Sequence, residues 1–202
     1  MFLALDTSTA ACTAALIAED GTVLVRADEV IGRGHAERLV PMIEDMLGGR
    51  RPDSILVGCG PGSFTGLRVG IAAAHGMAIG WDVPLSGFSS IALLAAGAAD
   101  GDHIAAAVNG GHGELFVQEF AGSPLRPAAP LLNLPPAAAA QAISAKRVIG
   151  PAAGLLVEAR GWGQAINALP SASNIAILPP DLTNLPPQPI YARAPDARPK
   201  AA

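Results

Sequence analysis

The first 30 residues alternate between apolar and polar positions in a way that predicts three short strands. An apolar run at residues 2–5 ends in the turn-forming residues Asp6–Thr9, and residues 12–18 then alternate with the period of two that is typical of a strand. Asp20-Gly21 is a dipeptide found in tight hairpin turns, and it leads into a third strand at about residues 22–30. The chain is therefore expected to open with three antiparallel strands.

A helical period follows these strands. Apolar residues between Leu39 and Leu47 fall on one face of a helix that ends at the glycine pair Gly48-Gly49. Pro41 lies inside this pattern, so the helix is expected either to begin near residues 37–39 or to kink at the proline. The pattern further predicts a buried strand and two helices, at residues 54–59, 66–80 and 89–99.

The strand–turn–strand pattern starts again near residue 103. Residues 103–108, 109–113 and 114–120 repeat the order of residues 3–18, which agrees with an internal duplication and equally with chance. Residues 147–150 predict one more strand. The order of elements is that of an α/β protein with two lobes, in which helices cover mixed sheets, as in the actin-like ATPase (ribonuclease H-like) fold.

The predicted division of the chain is an N-terminal lobe at residues 1–100, an abbreviated second lobe at residues 101–178 and a tail at residues 179–202. Periodicity fades after residue 121, so few elements are predicted for the second lobe. Prolines are concentrated in the tail, which predicts an extended or disordered segment.

Composition narrows the class of protein. Half of the residues are hydrophobic and only 15% are charged, which excludes disorder for most of the chain. Lys+Arg 13 against Asp+Glu 17 gives a formal charge of −4 with scattered cations, which argues against tight nucleic-acid binding by this chain alone. The two cysteines lack the spacing of a disulfide framework or a zinc site. Without a basic leader or an uninterrupted apolar span, the chain is expected to be cytoplasmic, with no membrane contact.

The turn after the first strand is the first candidate site, and it consists of Asp6, Thr7, Ser8 and Thr9. In actin-like kinases a hydroxyl-rich turn at this point wraps nucleotide phosphates, with an aspartate near the metal. The alternative is a hairpin loop in which the Asp, Ser and Thr side chains bond to their own backbone. These four residues alone favour the two interpretations equally.

A glycine-rich loop at residues 58–66 is the second candidate. Glycines between a strand and a helix N-terminus allow backbone N–H groups to approach an anion. The loop matches neither standard phosphate motif, because Ser63 stands where the dinucleotide motif needs glycine and Leu67 stands where the P-loop needs lysine. Its pattern alone favours a tight turn that positions the following helix.

Small residues recur at every fourth position of that helix, at Gly66, Gly70, Ala74 and Ala78. A glycine inside a helix costs about 1 kcal/mol relative to alanine, so close approach of another helix is expected to offset Gly70. The spacing does not decide whether that helix belongs to the same chain or to a partner.

Metal-ligand and nucleophile patterns are missing from the sequence. No two histidines have the i, i+4 spacing of a helical metal site, since Leu39 follows four residues after His35. Ser8 and Ser63 lie in predicted turns and have no identifiable base. No metal ion and no cofactor is therefore expected.

Three segments together resemble the TsaB family, also called YeaZ: Leu3–Thr9, His35–Ile43 and above all Gly60–Gly70. The segment Pro189–Arg193 is similar to the tail of the family. The resemblance implies an actin-like, two-lobed protein that pairs through its N-terminal lobe with TsaD, the paralogue that transfers threonylcarbamoyl to a tRNA adenosine. It also implies that a small ATPase, TsaE, joins the pair, and that a homodimer forms when the partner is missing.

The resemblance also implies that the chain is a non-catalytic scaffold. The histidine pair that binds metal in TsaD would align with His35 and Leu39, so the second ligand is lost. Asn109 stands at the aspartate position of the second phosphate loop, where a neutral amide cannot replace a carboxylate at a magnesium site. The family commonly has Asp-Ala-Arg where this chain has Asn109-Gly110-Gly111. The alternatives are an actin-like ATPase or phosphotransferase that uses Asp6–Thr9 and the Gly60–Thr65 loop and, with less support, a metallopeptidase.

In the family the two helices of the first lobe bundle across the dimer. We therefore expect the small-residue row of the second helix to face a partner, together with one face of the first helix. The implied interface residues are His35, Leu39, Ile43, Met46, Gly66, Arg68, Gly70, Ala74 and Ala78.

Overall fold

The computed structural model describes residues 1–190 of the chain, and its first sheet has five strands. These strands are β1 (Phe2–Asp6), β2 (Ala11–Ile17), β3 (Val23–Val30), β4 (Ser54–Gly58) and β5 (Leu85–Phe88). Their order is β3-β2-β1-β4-β5; the first three are antiparallel, and β4 and β5 run parallel to β1. The helices of this lobe are α1 (His35–Leu47), α2 (Phe64–Trp81) and α3 (Ser90–Ala96).

The second sheet repeats this plan with shorter elements. Its strands are β6 (Ile104–Gly111), β7 (Glu114–Ala121), β8 (Arg126–Pro127), β9 (Leu132–Leu134), β10 (Arg147–Ile149) and β11 (Gln164–Ile166), and its helices are α4 (Pro136–Ala142) and α5 (Ala153–Arg160). The order is β11-β10-β6-β7-β8, with β9 also paired to β7. As in the first sheet, the central strand pairs antiparallel with the next strand and parallel with a later one. The prediction of two lobes with mixed sheets is confirmed.

Helix α3 lies in the core between the two sheets. All seven of its residues are buried, and Ile91, Leu93 and Leu94 belong to one apolar cluster that also contains Ile17 of the first sheet and Phe120 of the second. A helix that is apolar on all sides is stable only when it is buried on all sides. The two lobes therefore share the apolar cluster that surrounds α3.

Helices α1 and α2 cover the opposite face of the first sheet. Leu39 and Ile43 pack there against buried residues of β1 and β4, in a second apolar cluster. The expected glycine C-cap of α1 is confirmed, because Gly48 has a φ of 55° and donates its N–H to the carbonyl of Glu44. The helix begins at His35, earlier than expected, and Pro41 is accommodated on its exposed side.

The segment after β11 returns to the first lobe through a 3-10 helix (Ala172–Ile177) and α6 (Pro180–Thr183). Gly87 of β5 exchanges two backbone hydrogen bonds with Leu185 (2.7 and 3.0 Å), and Ile190 donates its N–H to the carbonyl of Cys59 (2.8 Å). Of the two alternatives expected for the tail, residues 179–190 are therefore not disordered, because they form α6 and then a segment that is hydrogen-bonded to the first lobe. An edge strand has unpaired backbone groups, and this segment satisfies those of β5.

Some expectations concern residues that the structure does not describe, and some elements of the structure were not predicted. Residues 191–202 lie outside the described part of the chain, and with them most of the family-like segment Pro189–Arg193. Strand β5 and most short elements of the second lobe were not predicted, whereas the strand at Arg147–Ile149 was. No helix within residues 1–190 is long and apolar enough to cross a membrane.

Candidate functional site

Asp6 stands at the end of the central strand of the first sheet, and its carboxylate is fully buried. One carboxylate oxygen accepts hydrogen bonds from the backbone N–H (2.8 Å) and the hydroxyl (2.6 Å) of Ser8. The other accepts from the hydroxyl of Ser90 (2.5 Å), which in turn accepts from the N–H of Gly60 (2.9 Å). Asp6 thus connects the turn after β1, the glycine-rich loop and the start of α3.

The protonation of Asp6 reflects two opposing effects. Burial raises the pKa of the Asp6 carboxyl above its usual value, because a carboxylate loses its hydration in the interior. Hydrogen bonds from Ser8 and Ser90 and the nearby His35 act in the other direction and lower this pKa. Burial is the larger effect, so keeping Asp6 ionised in the folded chain costs free energy.

The glycine-rich loop and α2 pack directly on the turn that Asp6 begins. A β-carbon on Gly62 would lie less than 3.0 Å from the carbonyl of Ser8. A β-carbon on Gly66 would lie less than 3.0 Å from the carbonyl oxygen of Thr7, and one on Gly70 would lie less than 3.0 Å from the Thr7 hydroxyl. The hydroxyl of Thr7 also donates to the carbonyl of Gly66 (2.7 Å). Only glycine permits this approach, which explains why a helix contains Gly66 and Gly70 despite their cost.

This arrangement does not fit a nucleotide or its metal ion at Asp6–Thr9. Both oxygens of Asp6 already accept protein hydrogen bonds, and the chain itself covers the turn. Of the two interpretations that the sequence left open, the structure has the hairpin loop, in which Ala11 also donates its N–H to the hydroxyl of Thr9 (3.2 Å). The glycine-rich loop is the tight turn expected, with Ser63 as the N-cap of α2.

The row Gly66, Gly70, Ala74 and Ala78 faces inward. All four residues are buried, the first two against the turn after β1 and the others in the core of the first lobe. The expectation that this row meets a partner helix is therefore wrong. The close approach that its spacing indicated occurs within the chain, where it brings α2 onto the loop.

The expected interface residues of α1 face inward as well, and these are His35, Leu39, Ile43 and Met46. His35 places its Nε2 3.1 Å from the carbonyl of Ala11, so the ring is engaged by the chain. Leu39, its expected metal-pair partner, is an aliphatic core residue. No metal fits this pair, and no three His, Cys, Asp or Glu side chains within residues 1–190 form a group able to hold a metal.

The exposed side of α2 carries a second row of small residues. Ala72, Gly76 and Gly80 are exposed, and β-carbons on the two glycines would meet nothing within 4 Å. Apolar side chains accompany this row: Ile79 is 80% exposed and Phe64 is 52% exposed. Of the expected interface residues, only Arg68 is exposed, and its guanidinium stacks 3.6 Å from the centroid of the Phe64 ring.

The sequence did not predict this outward row, because both rows repeat at every fourth position. The one useful signal was Arg68, which starts the outward row, whereas the inward row is flanked by Leu67 and Ile71. A charged residue in one row and aliphatic neighbours beside the other distinguish the exposed face from the buried one.

The turn of the second lobe is open. Asn109 lies on β6 opposite Leu115 and is exposed, and the expected strand–turn–strand unit is present. Nearby, Asn133 donates its side-chain N–H to the Glu114 carboxylate (2.6 Å). Within residues 1–190, no loop covers this turn in the way that the glycine-rich loop covers Asp6.

Comparisons with known proteins agree with this fold. A family model described as "TsaD: tRNA N6-adenosine threonylcarbamoyltransferase" matches residues 27–141, which is more than half of the chain. The solved structure of YeaZ from Pseudomonas aeruginosa is 33% identical, with a TM-score of 0.74, and the match covers 88% of this chain and 89% of that one. A second solved structure, described as an uncharacterized protein with similarity to peptidase YEAZ from the same organism, is 31% identical with a TM-score of 0.79, over 95% and 99% of the two chains.

Curated relatives carry the same family name. The tRNA threonylcarbamoyladenosine biosynthesis protein TsaB of Escherichia coli (strain K12) is 39% identical over 126 residues, which is 58% of this chain and 54% of the relative. The TsaB protein of Haemophilus influenzae is 34% identical over 132 residues, which is 61% and 55% of the two chains. The matches thus span about half the length of these curated relatives. The actin-like fold is confirmed, and the chain belongs to the TsaB (YeaZ) family.

Proposed function

We propose that this chain is a non-catalytic subunit of the cytoplasmic machinery that makes threonylcarbamoyladenosine in tRNA, and that it stabilises a TsaD-type transferase by pairing with it. The family name of the relatives supplies the pathway. The exposed row of α2 carries the proposal of a docking subunit, because within residues 1–190 it is open to solvent and has exposed apolar side chains beside it.

The geometry of the exposed row suits a partner helix. Glycine and alanine at every fourth position leave a shallow groove along α2 that allows two helix axes to approach closely. With 18 residues, α2 is about 27 Å long, enough to provide most of a helix–helix contact. Ile79 and Phe64 would lose their exposed apolar surface in such a contact, and each large side chain buried contributes about 2 kcal/mol.

The same surface accounts for a homodimer, and the other proposed partners join the assembled complex. A second copy of this chain carries the same apolar row, so a homodimer would cover it when the transferase is absent. The TsaE-like ATPase would join the pair of unlike subunits. The chain would meet tRNA through the assembled complex, since its own charge is −4.

A non-catalytic role is supported by the turn at Asp6. Hydrolysis or transfer of a phosphoryl group requires a site that accepts phosphate oxygens and a metal ion. In this chain the carboxylate of Asp6 holds three segments of its own backbone and side chains instead.

The proposal is tested by capture and turnover with the whole chain. A tagged TsaD homologue from the same genome is expected to capture the untagged chain in equal amounts, and the chain alone is expected to release no phosphate from ATP. Capture that fails in both orientations of the tag would contradict the docking role. Turnover of ATP that Asp6→Ala abolishes would show that the chain is an ATPase.

A further inference from the structure

Strand β3 forms one edge of the first sheet, and within residues 1–190 only β2 pairs with it. The other edge, β5, is covered by the backbone hydrogen bonds that it exchanges with Leu185. Strand β3 has eight residues, and three of its large apolar side chains are exposed: Val23 (39%), Leu24 (45%) and Val30 (76%). A long edge strand with exposed apolar side chains is a template for pairing with another strand. The edge of β3 is therefore a candidate interface, distinct from the exposed row of α2.

The backbone groups of β3 that face away from β2 belong to its even-numbered residues. Ile31 donates its N–H to the carbonyl of Ala10 (3.0 Å), which lies directly opposite it when the β2–β3 register is continued by one residue. Opposite residues of an antiparallel pair alternate between hydrogen-bonded and non-hydrogen-bonded pairs. The register is regular up to a bulge near the start of β3. The N–H and C=O groups of Arg26, Asp28 and Val30 therefore point away from β2.

The side chains on one face of β3 have a self-complementary order. That order is apolar, cation, anion, apolar: Leu24, Arg26, Asp28 and Val30. The side chains of Arg26 and Asp28 are 63% and 37% exposed, so both can contact another chain. If a second copy lies antiparallel beside β3, with Ala27 opposite Ala27, each Arg26 lies opposite Asp28 of the other copy. Leu24 then lies opposite Val30 at both ends of the contact.

Only this register suits both the backbone and the charges. Because Arg26 and Asp28 both have outward-facing backbone groups, each such pair can exchange two hydrogen bonds. A shift by two residues keeps the hydrogen bonds but places Arg26 opposite Arg26, or Asp28 opposite Asp28, and like charges directly opposite each other are destabilising. A shift by one residue places outward-facing backbone groups opposite inward-facing ones, so no ladder forms.

From this geometry we infer that the edge of β3 is an interface between two copies of this chain, which joins their first sheets into one continuous sheet. A two-fold contact uses the same patch on both copies, so the patch must complement itself. Asp28 is held in place for the ion pair, since its carboxylate accepts hydrogen bonds from the hydroxyls of Thr13 (2.5 Å) and Ser171 (2.9 Å). The inference goes beyond the proposed function, because the exposed row of α2 stays free to dock the transferase while two copies are joined.

The test measures self-association by sedimentation equilibrium, with Gly76→Arg in every sample so that the exposed row of α2 cannot contribute. This parent is expected to dimerise. Arg26→Glu places two anions opposite each other and Asp28→Lys places two cations, so each is expected to raise the Kd of the dimer at least tenfold. An equimolar mixture of the two variants has opposite charges at both pairs and is expected to form a mixed dimer about as tight as the parent. Lys146→Glu, which reverses an exposed charge on the second lobe, is the matched control and is expected to leave the Kd unchanged.

Three results would overturn the interface. A parent that stays monomeric would show that the charges on β3 protect the edge from pairing. Single variants that dimerise as tightly as the parent would show that the copies meet elsewhere. A mixture that stays monomeric, or an equal loss in Lys146→Glu, would show a general effect of charge rather than this register.

Two further measurements keep the test decisive. Capture of Arg26→Glu by the TsaD homologue is expected to equal that of the wild type, so failure of the docking role and failure of this interface are distinguishable. If Gly76→Arg or Asp28→Lys fails to fold, hydrogen exchange in the wild type makes the test. The amides of Arg26, Asp28 and Val30 should then exchange more slowly as the protein concentration rises, and exchange that is independent of concentration would overturn the inference.

Discussion

The two lobes have the same strand order, but the turn after the central strand is buried in the first lobe and exposed in the second. In the first lobe Asp6, Thr7 and Ser8 of the turn are buried beneath the glycine-rich loop and the 18-residue helix α2. In the second lobe the turn at residues 109–113 is open, and the helix in the equivalent position, α5, has only 8 residues. A repeated topology therefore does not fix what a turn can do, because the side chains that pack on it decide whether a ligand can enter.

Each lobe also buries one carboxylate, and both serve the fold. Asp6 connects three segments of the first lobe. Glu119 of β7 accepts hydrogen bonds from the N–H groups of Ser144 and Ala145 (2.7 Å each) and so holds the loop between α4 and β10. In both cases the hydrogen bonds to the carboxylate fix loops.

The largest expected effect separates the two rows of small residues on α2. Gly66→Ala places a methyl group less than 3.0 Å from the carbonyl of Thr7, so it is expected to lower the free energy of unfolding by about 3 kcal/mol. Gly76→Ala meets open space and is expected to raise it by about 1 kcal/mol, since alanine is the better helix former. Urea unfolding measures both values, and effects of the same sign would refute the assignment of the two rows.

A second large effect concerns the segment that returns to the first lobe. Ending the chain after Asn184 removes the hydrogen bonds from Leu185 and Ile190 to the first lobe, and is expected to cost about 2 kcal/mol. Ending it after Ile190 keeps these bonds and serves as the control. Hydrogen exchange at the amide of Gly87 should accelerate only in the shorter chain. Equal protection in the two chains would mean that residues 185–190 do not secure the edge of β5.

A smaller effect depends on pH and follows from the raised pKa of Asp6. A carboxyl whose pKa is higher in the folded state than its usual value of about 3.9 stabilises the fold fully below that value. This stabilisation is lost as the pH rises through the folded pKa, by about 1.4 kcal/mol for each pH unit between the two values. Asp6→Asn cannot titrate, so the wild type should lose stability relative to it as the pH rises from 4. A wild type whose stability relative to Asp6→Asn stays constant or increases as the pH rises would contradict the raised pKa.

The smallest effect is expected in the open turn of the second lobe. Asn109→Asp restores the acid of the usual phosphate loop at an exposed position, and should change the free energy of unfolding by no more than about 0.5 kcal/mol. Isothermal titration with Mg-ATP should detect no binding to this variant, because the turn of the first lobe remains closed. Binding in the micromolar range would show that one residue had suppressed a nucleotide site.

Much of the first lobe could be predicted because its elements are long enough to show a period. Strands of five to eight residues and the apolar face of α1 carry the pattern clearly. Much of the second lobe could not be predicted, because β8, β9 and β11 have two or three residues each and no period can form over that length. Residues 179–190 were missed because proline-rich composition does not reveal that an edge strand is available to pair with them.

The segments that form the candidate sites could be predicted, but not which face of the helix is buried and which is exposed. The sequence identified the small-residue helix and the Asp6 turn as the informative segments, and the structure brings them together at Gly66, Gly70 and Thr7. The sequence could not show that this contact buries both the inward row and the turn. The outward row shares the same spacing, so only the fold of the first lobe determines which row remains exposed.

The central claim, that the exposed row of α2 docks the transferase, is tested most directly by comparing Gly76→Arg with the wild type in capture by the TsaD homologue. Gly76 is exposed and arginine is a good helix former, so circular dichroism should show a folded variant with an unchanged or higher melting temperature. Gly70→Arg, in the buried row, should unfold the chain and serves as the comparison for the exposed row. We expect Gly76→Arg to lose capture while it stays folded; a folded Gly76→Arg variant that is captured as tightly as the wild type would contradict the account.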